Sequence, residues 1–250
     1  MEVLPVRVHP SLTKPVIIFD GDDTLWHTQP LYERAKDKFF DLMASQGFSK
    51  EIAAGLLAEI DTKNVSKLGF SRERFPKSLR EVYECFCRNN GTRPNSKILQ
   101  RIDQIGKSVF YAKAIRIRGV RALLQRLRKR YRIYLLTSGD FEIQQRRIDD
   151  SGLGDLFIEI FIVDKKNEIM LDQLVETLKI DKRCVWMIGN SIKSDINPAL
   201  AVGLRCIWIH AGGWEYDIEE IRLGKLWVAE HLTDIVKILE DVNFICHQHP

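Results

Sequence analysis

Residues 16–25 read Val-Ile-Ile-Phe-Asp-Gly-Asp-Asp-Thr-Leu, and this stretch decides how the rest of the chain is read. Val16, Ile17, Ile18 and Phe19 are β-branched or aromatic and predict a short buried strand. Asp20, Asp22 and Thr24 follow at every second position. In an extended backbone such positions face one way, so two carboxylates and a hydroxyl are expected to converge at the strand end. Parallel α/β sheets place their ligands beyond the carboxyl ends of the strands. A calcium loop is the first rival. It needs Gly at its sixth position and Glu at its twelfth. Counted from Asp20 those positions hold Leu25 and Leu31, so that reading fails. The bland alternative is a polar turn with Asp22 and Asp23 solvated.

Outward from this segment the chain has two textures. Short apolar runs at residues 16–19, 133–136, 158–163, 184–188 and 206–209 alternate with helical patterns at 120–130, 142–150, 168–178 and 198–202. Asp140 can cap the second of these helices and Gly152 can end it. Alternation of this kind predicts a doubly wound parallel sheet with helices on both faces. The second texture is purely helical and lies between the first two strands. Residues 31–45, 51–60, 79–87 and 96–112 carry apolar positions at helical spacing, with Gly47 as a stop and Ser49 as a cap. This is far more chain than a parallel crossover needs. The expected organisation is an α/β core at 1–27 and 116–250 with an inserted helical cap at 28–115.

The 250 residues suffice for a substantial core, and the net charge of +4 is mild. The densest basic segment, residues 116–132, has Val120, Leu123, Leu124 and Leu127 on one helical face. It reads as an amphipathic helix with a wet basic side, and no nucleic-acid partner is expected. No apolar run reaches the length of a membrane span. The odd count of five cysteines, Cys85, Cys87, Cys184, Cys206 and Cys246, fits reduced thiols better than a disulfide framework. The first residues lack the apolar stretch of a secretory signal. A cytoplasmic protein is expected; the sequence leaves the oligomeric state open.

Three later strand ends carry polar groups. Thr137 and Ser138 follow the second strand, Lys165 and Lys166 the third, and Gly189-Asn190-Ser191 with Ser194 and Asp195 the fourth. In this order, Asp-x-Asp-x-Thr, then Thr, then Lys, then Gly-Asn-Ser-x-x-Ser-Asp, the chain resembles the haloacid dehalogenase-like hydrolase superfamily over its whole length. The Asp at position 22 points to the phosphatase branch, because halide leaves without protonation and an alkoxide does not.

The resemblance implies Mg²⁺-dependent hydrolysis of a small phosphomonoester through an aspartyl-phosphate. Asp20 resembles the nucleophile and Asp22 the acid/base. Thr24, Thr137 and Ser138 would contact the phosphoryl group or substrate. Lys165 would pair with Asp20, with Lys166 as its rival because the turn register is open. Asp20, the Asp22 main chain, Asn190 and Asp195 would hold the metal. Many family members have Asp where this chain has Asn190, which removes one negative charge from the set. Trp26 and His27, at the cap entrance, could line the substrate pocket, or Trp26 could pack a hinge. Gly212, Gly213 and Trp214 could form a loop near the site, and Cys246, His247 and His249 a frayed tail. Two other functions stay open: a phosphotransferase or mutase, and a binding protein that has lost turnover.

Overall fold

The computed structural model describes residues 14–210 and 219–246. Gly212, Gly213, Trp214, His247 and His249 lie outside the described residues, as does the side chain of Cys246. In chain order the elements are β1 (Val16–Phe19), β2 (Trp26–His27), α1 (Gln29–Ser45), α2 (Lys50–Leu68), α3 (Arg74–Asn89), α4 (Ser96–Tyr111) and β3 (Ile115–Arg116). There follow α5 (Val120–Leu127), β4 (Arg132–Ser138), α6 (Phe141–Ser151), β5 (Glu159–Val163), α7 (Glu168–Thr177), β6 (Val185–Gly189), α8 (Asn197–Ala201), β7 (Arg205–Ile209), β8 (Leu226–Ala229) and α9 (Leu232–Cys246).

Six strands form one parallel sheet in the order β5-β4-β1-β6-β7-β8. β1 is central, and its four residues are fully buried. Alternation splits them between the two faces. Ile17 and Phe19 pack with α5 and α9 through Val120, Leu124, Ile235 and Leu239, whereas Val16 and Ile18 pack with α7 and α8 through Leu171, Val175 and Ala199. From β1 the chain steps outward through β4 and β5, then returns to the other side of β1 with β6. The switch point therefore falls at the carboxyl ends of β1, β4 and β6, where α/β sheets open a ligand crevice. The sheet has one strand more than the five that the sequence predicts. β8 is short and follows the charged residues Glu219, Glu220, Arg222 and Lys225, which mask its apolar run.

Helices α1 to α4 lie between β2 and β3 and have a hydrophobic cluster of their own, including Phe39, Leu57, Phe75, Leu79 and Val109. β2 and β3 pair antiparallel, Trp26 opposite Arg116, so the chain leaves for the helices and returns from them side by side. Ser49 caps α2 by accepting from the Ile52 amide, and Asp140 caps α6 by accepting from the Ile143 amide. Helix α2 runs eight residues past the expected end at Ile60, to Leu68. Its buried stripe changes from Ala53 and Leu57 to Asp61 and Asn64, so an apolar periodicity stops being its signature. Asp61 accepts from Arg74 and from Ser78 Oγ at 2.7 Å, and Asn64 donates to Ser78 at 3.1 Å. The basic segment is a half-buried helix: Val120, Leu123, Leu124 and Leu127 are inside, and Arg126 pairs with Glu240 of α9. No helix among the described residues is long and apolar enough to cross a membrane.

Candidate active site

A cleft opens over the carboxyl ends of β1, β4 and β6 and is roofed by α1, α3 and α4. Its enclosed volume is about 100 Å³. Asp20, Asp22, Thr137, Ser138, Lys166, Asn190, Ser191 and Asp195 line its floor. Thr28, Tyr32, Phe70, Arg74 and Phe110 line the helical side.

Asp20 continues β1, its amide donating to the Ile188 carbonyl at 2.9 Å. Its carboxylate is buried against the Lys166 ammonium, which also donates to Asp195 Oδ1 at 2.6 Å. Two carboxylates thus share one cation, and one negative charge remains in a desolvated place. Burial is the largest influence on Asp20 and Asp195 adds to it; Lys166 pulls the other way, and the carboxyl is pushed up to about 7. Burial alone would lower Lys166, but Asp195 and Asp20 outweigh it and hold the ammonium above the ordinary lysine range. Asp195 lies in a π-helical turn, Ile192–Ile196, and its Oδ2 accepts from the Ser191 amide at 3.0 Å. Gly189 makes room for it: a Cβ there would overlap the Asp195 carboxylate.

The lysine expectation is corrected in register. Lys165 is exposed, whereas Lys166, one residue on, turns inward and is 3% exposed. Thr24 is also corrected. The chain turns after Asp20, with the Leu25 amide donating to the Gly21 carbonyl at 2.8 Å, so the alternation of an extended strand no longer holds. Thr24 is buried beneath the cleft and donates to Asn190 Oδ1 at 3.3 Å. Trp26 does not line the cleft either. Its ring packs against Gly21, where a Cβ would overlap it, and its Nε1 donates to Asp22 Oδ1 at 2.7 Å. Thr137 and Ser138 reach the cleft from the end of β4, and Thr137 is buried.

Asp22 and Asp23 are not a solvated turn. Asp22 Oδ2 accepts from Gln144 Nε2 at 3.0 Å and Arg147 Nη1 at 2.5 Å, both from α6. Asp23 is buried, with φ +57°, a left-handed conformation that Asp tolerates. Its carboxylate accepts from the Thr28 amide at 2.7 Å, the Thr28 hydroxyl at 2.6 Å and the Gln29 amide at 2.9 Å, fastening the start of α1. Gln144, Arg147 and Asp23 are the site-forming residues that the sequence reading lacks. The signal available for the first two is their spacing of three on a helix opened by the capping residue Asp140.

The donor set suits a small hard cation. The Asp20 and Asp195 carboxylates, the Asp22 carbonyl and the Asn190 amide are all oxygen donors, and the surplus negative charge favours a cation. Among the described residues no three His, Cys, Asp or Glu side chains form a metal cluster. An ion there would complete its shell with main-chain oxygen and water, as Mg²⁺ usually does.

Three comparisons bear on this arrangement. The chain is 25% identical over 234 residues to the glyceraldehyde 3-phosphate phosphatase of Pyrococcus abyssi, covering 91% of this chain and 94% of the relative. It is 24% identical over 205 residues to the N-acylneuraminate-9-phosphatase of Mus musculus, covering 79% and 83%. Among solved structures, a haloacid dehalogenase-like family hydrolase from Xanthomonas campestris superposes with a TM-score of 0.77, at 23% identity, over 94% of this chain and all of that one. The family model for haloacid dehalogenase-like hydrolases matches residues 14–203, most of the chain, and the chain belongs to that family.

Proposed function

We propose that the protein hydrolyses a small phosphomonoester through a covalent phosphoryl group on Asp20. The observation that carries this reading is the buried Asp20 carboxylate at a strand end, held by Lys166 beside Asp195, with Asp22 in the same cleft. Asp20 attacks phosphorus in line, and the bond from phosphorus to the leaving oxygen breaks. Asp22 gives that oxygen a proton. It then takes a proton from the water that attacks the phosphorus, releasing inorganic phosphate and restoring the Asp20 carboxylate. Thr137 and Ser138 donate to the phosphoryl oxygens, and the Lys166 ammonium limits the charge that builds there. Asp20, Asp195 and the Asp22 carbonyl, with Asn190 nearby, would hold Mg²⁺, whose charge screens a dianionic ester from a carboxylate nucleophile. The two relatives named above are phosphatases of small phosphorylated compounds, which supports a substrate of that size. The four described cysteines are free thiols, which supports a reducing, cytoplasmic setting.

The test is turnover of p-nitrophenyl phosphate and a panel of small phosphoesters, with Mg²⁺ and after its removal by a chelator. Mg²⁺-dependent phosphate release is expected, with radiolabelled phosphoryl group trapped on the protein by acid quench. Turnover that survives Asp20→Asn would overturn the mechanism.

A further inference from the structure

A groove separate from the cleft runs between α3 and α4 on one side and α6 on the other. It encloses about 540 Å³, against about 100 Å³ for the cleft, which is the size range of small-molecule sites. Pro76, Phe110 and Ile143 are buried and give it an apolar floor. Phe110 and Ile143 also line the cleft, so the two cavities share a wall. Cations outnumber acids around the groove, and most of the charges cancel in pairs. Arg80 holds Asp103 at 2.8 Å, Arg72 holds Glu142 at 2.8 Å, and Lys77 reaches Glu81 at 3.8 Å. Lys107 has no partner among the described residues. Arg146 has none that is acidic: its Nη1 donates to the Phe110 carbonyl at 3.2 Å, and its Cζ lies 5.4 Å from the centre of the Tyr111 ring. Lys107 and Tyr111 stand one turn apart on α4 and therefore share a helix face. Tyr111 is 70% exposed. A large open ring is thus flanked by two uncompensated cations over an apolar floor, with Glu73 as the one lining acid left over.

We infer that this groove is a second ligand site, distinct from the cleft, that takes a small aromatic anion. The ring of the ligand stacks on Tyr111 above Pro76, Phe110 and Ile143. Its anionic group lies between the Lys107 ammonium and the part of the Arg146 guanidinium that the Phe110 carbonyl does not use, forming charge-assisted hydrogen bonds. A cationic ligand would meet two unpaired positive charges against Glu73 alone. A neutral ring would gain the stacking and leave both cations without a partner. An aliphatic acid would gain the charge and leave Tyr111 open. Glu73 is placed to accept from a hydroxyl or amino group on the same ligand. Two kinds of compound share this chemistry, a simple aromatic acid and a nucleotide.

The experiment measures calorimetric affinities of the full chain for 2-naphthoate and adenosine 5′-sulfate, each beside its neutral counterpart, 2-naphthylmethanol or adenosine. Neither anion carries a phosphoester, so the outcome is independent of the phosphatase reading. At least one anion is expected to bind about tenfold or more tighter than its counterpart, and which one does so separates the aromatic acid from the nucleotide. Lys107→Gln and Arg146→Gln, both at exposed positions, should each weaken that anion by about tenfold or more. Tyr111→Ala should weaken it by about fivefold. Urea midpoints near the wild-type value show that the variants are folded. An anion seated in the cleft instead would respond to Asp20→Asn and ignore Lys107→Gln, and that pattern overturns the inference. So does failure of both anions to bind, or equal binding of anion and neutral counterpart.

Discussion

At the carboxyl edge of the sheet, two buried carboxylates, Asp20 and Asp195, share the single ammonium of Lys166. In the helices above, one buried carboxylate, Asp61, meets the Arg74 guanidinium and the Ser78 hydroxyl. Both are polar clusters inside hydrophobic surroundings, and both hold their members by charge-assisted hydrogen bonds. The first leaves a negative charge over and faces the cleft. The second balances its charges and ties α2 to α3. An unbalanced buried cluster favours a further cation; a balanced one holds its helices together. Burial alone does not separate the two, and the count of charges does.

Substitutions can break this comparison from either side. The largest effect is expected from Asp20→Asn, which should lower turnover of p-nitrophenyl phosphate by about 10⁴-fold or more. Because it removes surplus buried charge, its urea midpoint should hold or rise. Lys166→Met should reduce turnover by about 10³-fold and destabilise the protein by about 3–5 kcal/mol, since two carboxylates are then buried without a cation. Lys165→Met, one residue away and exposed, should stay within about twofold on both measurements. Asp61→Ala tests the balanced cluster: it should cost about 3 kcal/mol in urea unfolding by removing the buried carboxylate that Arg74 and Ser78 share. Replacing both partners, Asp61→Leu with Arg74→Met, should recover most of that loss. Gly189→Ala should cost about 1–3 kcal/mol and weaken Mg²⁺-dependent turnover together, because the new methyl displaces Asp195. The smallest effect is chemical: among the four described cysteines a thiol reagent should label exposed Cys184 first, while Cys206, whose thiol burial pushes up to about 12, should react only on unfolding.

The sheet and the inserted helices differ in legibility for the same reason. β1 states its place in four apolar residues, and its neighbours repeat that pattern, so hydrophobic periodicity locates both the strands and the cleft they end in. Capping residues were equally plain: Ser49 and Asp140 start the helices that their chemistry implies. Helix α2 escapes its own boundary because its second half buries Asp61 and Asn64, and no apolar period records a partner that lies on another helix. The site follows the same division. Asp20, Asp22, Thr137 and Asp195 end strands or begin the turns after them, and strand position brings them to the cleft. The choice between Lys165 and Lys166 depends on which way a turn faces, which no periodicity encodes. An extended backbone would aim Thr24 into the cleft; the turn onto the Gly21 carbonyl directs it to Asn190 instead. Gln144 and Arg147 sit in a helix whose sequence reads as ordinary surface, and only its packing across Asp22 gives them meaning.

Asp23 joins the two regions mechanically. It is the residue after Asp22, its backbone is held in a left-handed turn, and its carboxylate grips the first turn of α1. The loop that carries Asp22 is therefore fastened to α1 on one side and to α6 on the other. The start of α1 and the aim of the Asp22 carboxylate are thus set by consecutive residues, Asp23 gripping the one and Gln144 and Arg147 the other.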